Sequence, residues 1–372
     1  MNIEIKEVRD KQDLKKFIDF PYQLYKDDPN WIPPIKKSEW NYWTNHPGLK
    51  KNTVKKFLAW RNGKPVGRIA FLEIPKYNEL HGVKHARFTA LEAIDDKEVF
   101  ASLLKTVEDE AKKRNLTHIH GPLGFNNLDH QGMQVEGFEY PQTLVSVYNK
   151  PYYKEHLEKL GFTKEKDWLE FRITLSERAI KRGETAEKIV AKRFGLKAWQ
   201  PKNKKELIAM SDTIFELYNQ SYKHLHYMVP LDKEDVEFYK KEYLNVLSPK
   251  WSFFVKDPRK DRMVAFMLAI PSLGDALRKA KGKLLPFGFW HLLKALRKPK
   301  EIDITIIGTH PDYIHQGAAA LIFKRFHDVM LKHNIKVFET GGIFEDNHPV
   351  LKNWKNYPHI QHKKKRVYGK DL

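Results

Sequence analysis

An internal repeat constrains this chain more than any other feature of its sequence. DLKKFIDFPYQLY aligns with ELIAMSDTIFELY, setting Leu14 over Leu207 and Tyr22 over Phe215 at an offset of 193. PVGRIAFLEIP aligns with DRMVAFMLAIP, Pro75 over Pro271, at an offset of 196. RNLTHIHGPLGFNN aligns with HNIKVFETGGIFEDN, Asn115 over Asn334, at 219. Each match is weak, but three in collinear order imply two copies of one unit of roughly 180 residues. The expected division is 1–175, a charged helical connector at 176–193, and 194–372.

Local signals in the first copy give the order of its elements. IEIKEV predicts a strand, and Leu14, Phe17, Ile18 and Tyr22 recur at helical spacing. DDPNWIPP is an extended loop, and KFLAWRNGKPVGRIAFLEI is a hairpin around Asn62-Gly63. ARFTALEAI is a strand. DDKEVFASLLKTVEDEAKKRN is a helix with acids first and bases last. THIHGPL, a short helix in YYKEHLEKLGF and a strand in DWLEFRITL complete the order β-α-β-β-β-α-β-α-β, an α/β (α+β) pattern.

Between the second and third matches the offset grows by 23 residues, so the second copy carries an insertion, DALRKAKGKLLPFGFWHLLKALRKPK, at about 275–300. It mixes Leu284, Leu285, Phe287, Phe289, Trp290, Leu292, Leu293 and Leu296 with eight Lys and Arg residues. Such a composition suits either a segment lying at a lipid headgroup boundary or a loop folded with its apolar side inward.

The formal charge of +20 points to an anionic partner: nucleic acid, an anionic membrane surface or a polyanionic cofactor. The sequence has no cysteine, which excludes disulfides, thiolate metal sites and a cysteine nucleophile. No aromatic-interleaved basic motif, zinc spacing or recognition-helix signature is present, so neither specific nucleic-acid binding nor a metal is expected. The charged opening MNIEIKEVRD and the lack of a long apolar run place the expected location in the cytoplasm, with peripheral contact at the inner membrane face left open by the insertion.

In the second copy, Ile302, Ile304, Thr305, Ile306 and Ile307 form a strand that breaks at Gly308. After a His-Pro-Asp-Tyr turn, Gly317 and three alanines open a helix bearing Leu321, Phe323, Phe326, Val329 and Met330. A strand, a glycine turn and a helix start aim several amides and the helix dipole at one point, as a phosphate requires; an ordinary connection has the same pattern.

Placed as the fourth strand and following helix of the repeated unit, this stretch resembles the phosphate-holding turn of the GNAT superfamily of acyl-CoA-dependent N-acyltransferases. That turn has the form Arg/Gln-x-x-Gly-x-Gly/Ala, often after Pro-x-Tyr. Pro311, Tyr313, Gly317 and Ala319 match it; Ile314 stands where Arg or Gln is usual. The opening FPYQLYKDDPNWIPP, the Gly121–Phe125 motif and VEGF resemble a largely uncharacterised bacterial tandem branch, similar in kind to bacterial ceramide synthase.

The resemblance implies two GNAT-like domains, each a mixed, mostly antiparallel twisted sheet flanked by helices. It implies acyl-CoA or acetyl-CoA as co-substrate and an amine acceptor, long-chain or membrane-presented; a soluble amine or protein, or non-catalytic binding of acyl-CoA or anionic lipid, are the alternatives. Amides of His315, Gln316, Gly317, Ala318 and Ala319 would hold the pyrophosphate, and Ile306 and Ile307 would pair with pantetheine. Glu339, with Glu345 and Asp346 behind it, is the expected base; His226 and Asn347 are further catalytic candidates, and Asn126, Asn127, Asp129 and His130 could face the cleft. The first copy carries Asp95, Asp96 and Glu98 at its turn, which repel phosphate and suit a helix cap. The family's general-acid Tyr is replaced by Trp354.

Overall fold

The computed structural model of the chain describes residues 3–244, 246–283 and 287–372; Leu284 and Leu285 of the insertion lie outside the described residues. The first unit runs β1 (Glu4–Glu7), α1 (Lys11–Leu24), α2 (Lys36–Asn45), α3 (Gly48–Lys51), β2 (Thr53–Arg61), β3 (Lys64–Glu73), α4 (Pro75–His81), β4 (His85–Ala93), α5 (Lys97–Lys112), β5 (His118–Gly121), β6 (Met133–Glu136), α6 (Tyr152–Lys159) and β7 (Thr163–Thr174). A connecting helix, α7 (Glu177–Phe194), follows. The second unit runs β8 (Lys197–Trp199), α8 (Lys204–Ala209), α9 (Ser211–Tyr222), α10 (Lys233–Tyr243), β9 (Ser252–Asp257), β10 (Arg262–Pro271), α11 (Gly274–Ala280), α12 (Gly288–Arg297), β11 (Glu301–Thr309), α13 (Ala318–Lys332), β12 (Val337–Thr340), β13 (Ile343–Phe344), α14 (His348–Trp354) and β14 (His359–Asp371).

Local chemistry explains most of these elements. Asp96 caps α5 by accepting from the amides of Glu98 and Val99, the role its position suggests. The hairpin of β2 and β3 turns at Asn62 and Gly63, both in the left-handed region that such a tight turn needs. α7 starts at a Ser176 cap and ends at the left-handed Gly195.

The sheet shows what local patterns do not. Its strands form one continuous sheet in the order β1-β2-β3-β4-β5-β14-β7-β12-β11-β10-β9-β8. The two units therefore exchange their final strands. β14 of the second unit pairs with β5 of the first, and β7 of the first pairs with β12 of the second. Between them β7 and β14 run antiparallel for their full lengths, from His359 opposite Ile173 to Gly369 opposite Thr163.

Alternation along β7 separates the two faces of the sheet. Phe171 and Ile173 join a core with Ile302, Ile304, Phe326, Met330 and Phe338 beneath α13. Trp168, Glu170 and Arg172 point to the other face. A matching core in the first unit packs Phe88, Ile119, Val99, Phe100 and Leu103 beneath α5. Each fully buried aromatic or leucine in these cores contributes about 1.5–3 kcal/mol.

The insertion turns one part inward and leaves another exposed. α11 turns inward, burying Ala276, Leu277 and Ala280, and Leu277 packs with Ile32 of the first unit. α12 rests Leu292 and Ala295 on that cluster but leaves Phe287 71 % and Trp290 58 % exposed.

Candidate functional site

The second unit's fourth and fifth strands part in mid-course. β11 and β12 run parallel from Glu301 beside Val337 to Ile304 beside Thr340, and a last bond joins the Gly341 amide to the Ile304 carbonyl. Beyond that point β12 diverges, while β11 continues to Thr309 against β10 alone. A bulge at Thr305 bends β11 where the parting begins. The Ile307 carbonyl, on the edge that β12 has left, accepts from the Tyr222 hydroxyl at 3.0 Å. Burial pushes that hydroxyl's pKa up to about 12, so it stays a donor.

At the end of this edge lies the glycine turn. Pro311–Gln316 is a short 3-10 helix, and Gly317 then takes φ 77°, a left-handed conformation that lets α13 start at Ala318. A Cβ at Gly317 would also stand 2.5 Å from Val190 of α7. The first amides of α13 have no intrahelical partner by geometry, which makes this the anion-facing end of the helix. Ala318 is buried, His315 is exposed, and Gln316 donates to the Asp312 carbonyl. Ile314 is 56 % exposed and anchors nothing. Tyr313 is buried and donates to Asp257. His310 accepts from the Asp312 amide; burial, then Arg262, lowers its pKa, so it is held neutral.

Behind the parting, on the face opposite α13, lies a buried charged cluster. Asp303, Glu339 and Arg172 are neighbours across β11, β12 and β7. Arg172 donates to Glu339 at 2.7 Å and also pairs with Glu301. His362 Nε2 lies 3.3 Å from Glu339 without hydrogen-bond alignment, and Lys363 donates to the Pro141 carbonyl. Burial works against the Glu339 charge, but His362, Lys363 and Arg172 outweigh it and hold the carboxyl below its usual range. Asp303 behaves oppositely: among the described residues neither oxygen finds a well-formed hydrogen bond, and burial with Glu339 beside it raises its pKa to about 8. One carboxylate is ionised and its neighbour is protonated at neutral pH, the separation that acid-base chemistry uses.

The first unit covers this cluster. Residues 138–148 cross over it, with Pro141 and Ser146 against Lys363 and Val145 beside Gly341. Its own parting is arranged differently. Leu123 bonds the Phe88 carbonyl as Gly341 bonds Ile304, but Tyr153 and Tyr152 of α6 then take the Ala93 amide and carbonyl at 3.0 and 2.7 Å. The free edge of β4 is thus taken by the protein itself. In α14 the residues matching those tyrosines after Asn347 are Val350 and Leu351, which carry no hydroxyl.

The structure gathers some of the expected residues and scatters others. Ile306 and Ile307 lie on the free stretch of β11, and His315, Gln316, Gly317, Ala318 and Ala319 at its end. Glu339 is 4 % exposed in the cluster behind. Asn347 caps α14 through the Val350 amide. His226 is half exposed, 3.5 Å from Asp346 and packed on Phe344. Phe344, on which His226 packs, sits opposite Trp168 and Glu339 opposite Arg172, so Phe344 and Glu339 are about 13 Å apart along β7. Glu345 and Asp346 pair with Lys164 and Lys166. Asn126 and Asp129 are locked in a network with Tyr42, His46 and Tyr239 between the units, while Asn127 bonds the His226 carbonyl. Trp354 is core, packed on Phe323 and Phe338.

Sequence reasoning misses Asp303, His362 and Lys363. The available signal is an acid inside a run of isoleucines, at a position whose neighbours are both buried.

No family model matches the chain. Over nearly its whole length it is similar to Protein YghO of Escherichia coli (strain K12), 26 % identical across 97 % of this chain and 94 % of that protein. It is also 25 % identical to bacterial ceramide synthase of Caulobacter vibrioides, across 98 % of this chain and 96 % of that one. Among solved structures, a tandem GNAT protein from the clavulanic acid biosynthesis pathway superposes with a TM-score of 0.57 at 11 % identity, covering all of this chain and 98 % of that one. A GCN5-related N-acetyltransferase from Sphaerobacter thermophilus gives 0.53 at 9 % identity, covering 99 % and 95 %.

Proposed function

Because the chain is built on the tandem GNAT fold, we propose that it is an acyl-CoA-dependent N-acyltransferase whose second unit holds the acyl-CoA. The parting of β11 and β12 beside Gly317 carries this reading. A strand edge left by its neighbour, with only the Ile307 carbonyl taken by the Tyr222 hydroxyl and helix-start amides at its end, fits a pantetheine arm ending in a pyrophosphate. His315, Gln316, Gly317, Ala318 and Ala319 supply the amides, and Ile306 and Ile307 the edge. The first unit, whose matching edge is occupied by its own tyrosines, walls the acceptor side.

In the transfer, the acceptor ammonium gives a proton to Glu339, directly or through water. Its nitrogen then bonds the thioester carbon, the C–S bond breaks, and the thiolate takes a proton, which is replaced by the second proton that the nitrogen loses in becoming an amide. Asp303, protonated beside Glu339, is a proton source on the same face. The demand is modest, because a thiol pKa near 8.5 makes the thiolate a tolerable leaving group. Such a route needs no tyrosine at Trp354.

The acceptor is proposed to be a long-chain or membrane-presented amine, taken up where the protein touches an anionic bilayer on the cytoplasmic side. Exposed Phe287 and Trp290 on α12, flanked by Lys294 and Arg297, support this, as does the name of the relative from Caulobacter vibrioides. A second reading, binding of acyl-CoA or anionic lipid without catalysis, draws on how tightly Glu339 is held by Arg172.

Incubating the protein with acetyl-CoA or palmitoyl-CoA and a panel of amines, while following free thiol, tests both. Thiol release confined to the long-chain donor with a sphingoid-base-like amine is expected. Release with acetyl-CoA and soluble amines would move the acceptor class, and acyl-CoA binding with no turnover would leave only the second reading.

A further inference from the structure

The first unit holds a second polar cluster at the register position that matches Asp303 and Glu339. There Arg87 stands beside His120, and His85 beside His118. His118 and His120 are two apart on β5 and so share a face. Glu165 of β7 reaches them although β14 runs between the two strands. Its path is open because Gly369 of β14 has no side chain; a Cβ there would stand 2.0 Å from Glu165 Oε1. His118 Nε2 lies 2.5 Å from Glu165 Oε1 and His120 Nδ1 3.3 Å from Oε2. The three donor atoms fall within 4.8 Å of one another. His85 packs 4.7 Å from His118, ring to ring, and both its Nδ1 and His120 Nε2 are buried without a hydrogen-bond partner among the described residues.

We propose that His118, His120 and Glu165 form a binding site for a divalent cation of the zinc class, which fastens β5 to β7 across the exchanged strand. Two imidazoles and one carboxylate are a zinc donor set, with a further position for water or His85. Ligand atoms around a tetrahedral zinc stand about 3.4 Å apart, against a present spacing of at most 4.8 Å. Outer partners are in place. Asp371 lies 2.7 Å from His118 Nδ1, which turns the Nε2 lone pair toward the ion, and the Tyr227 hydroxyl donates to Glu165 Oε2 at 2.9 Å. Both partners come from the second unit. The side chains of His118 and Glu165 are 16 % and 23 % exposed, which gives an ion an entrance. The sequence argues against a metal because it lacks cysteine and zinc spacing; a strand His-x-His with a carboxylate from a distant strand escapes both criteria.

The test is calorimetric titration of untagged, chelator-stripped full-length protein with ZnCl2, repeated on His118→Gln and Gly369→Ala. The second variant leaves all three ligands intact and obstructs only the path of Glu165. A single equivalent should bind and raise the melting temperature, with affinity at least about tenfold weaker in each variant. Co2+ should give the intense visible bands of a tetrahedral site in the parent protein alone. Metal-free melting curves establish that the variants fold. No zinc uptake by the parent protein, or equal uptake by both folded variants, would overturn the proposal; in that case the cluster is a hydrogen-bonded His118-Glu165 pair.

Discussion

Two carboxyl groups side by side, one ionised and one not, make the sharpest predictions at the scale of single residues. If Glu339 takes the acceptor's proton, Glu339→Gln lowers kcat by about 100-fold or more while KM for acyl-CoA stays within about threefold. An equal loss of acyl-CoA binding in a direct titration would make Glu339 structural. Asp303 has a folded pKa near 8 against an ordinary value of 3.8, so the folded chain binds the extra proton. Its contribution to stability is complete below about pH 4 and is lost as pH rises toward about 8. Asp303→Asn therefore gains stability relative to the parent protein as pH rises from 5 to 9, and melting curves across that range check it. A difference independent of pH would contradict the assignment. Sequence alone places Glu339 inside an obvious strand beside the expected pantetheine path. It does not place the neighbours His362 and Lys363, since they arrive on a strand whose many lysines and histidines hide its pattern.

At the scale of elements, local chemistry was read well and orientation was not. The turn before α13, the Asp96 cap and the Asn62-Gly63 hairpin are set by residues within a few positions of each other, so sequence alone identifies them. Which side of the insertion faces solvent depends on what it packs against, and α11 and α12 answer differently. Gly317→Ala places a Cβ in a left-handed backbone at a cost of about 1–2 kcal/mol and presses it on Val190. The variant should melt a few degrees lower and bind acyl-CoA more weakly; unchanged affinity would move the phosphate site elsewhere. Replacing Phe287 and Trp290 together by serine removes the two most exposed apolar residues at the start of α12 and leaves Leu292 and Ala295 packed. Flotation with vesicles containing anionic lipid should fall in the double variant with no change in melting temperature. Undiminished flotation would assign α12 to packing alone.

For the whole molecule, the repeat revealed two units, but the exchange of β7 and β14 between them was invisible. Strand partners some 200 residues apart leave no local trace, and either pairing would satisfy the same apolar alternation. The exchange predicts that the chain unfolds as one body, with all spectroscopic probes coinciding. Residues 1–175 and 176–372 made apart should aggregate or dimerise, and made together should copurify in equal amounts; a folded monomer of either would refute this. Sheet closure also sets a schedule for the growing polypeptide. After β7 emerges, β5 must wait for a strand still unsynthesised, and at about 5–20 residues per second that wait is roughly 10–40 s. Throughout it, one edge of β5 and both edges of β7 lack their partners, so this chain should depend on holding chaperones during translation more than a protein of equal size with self-contained halves.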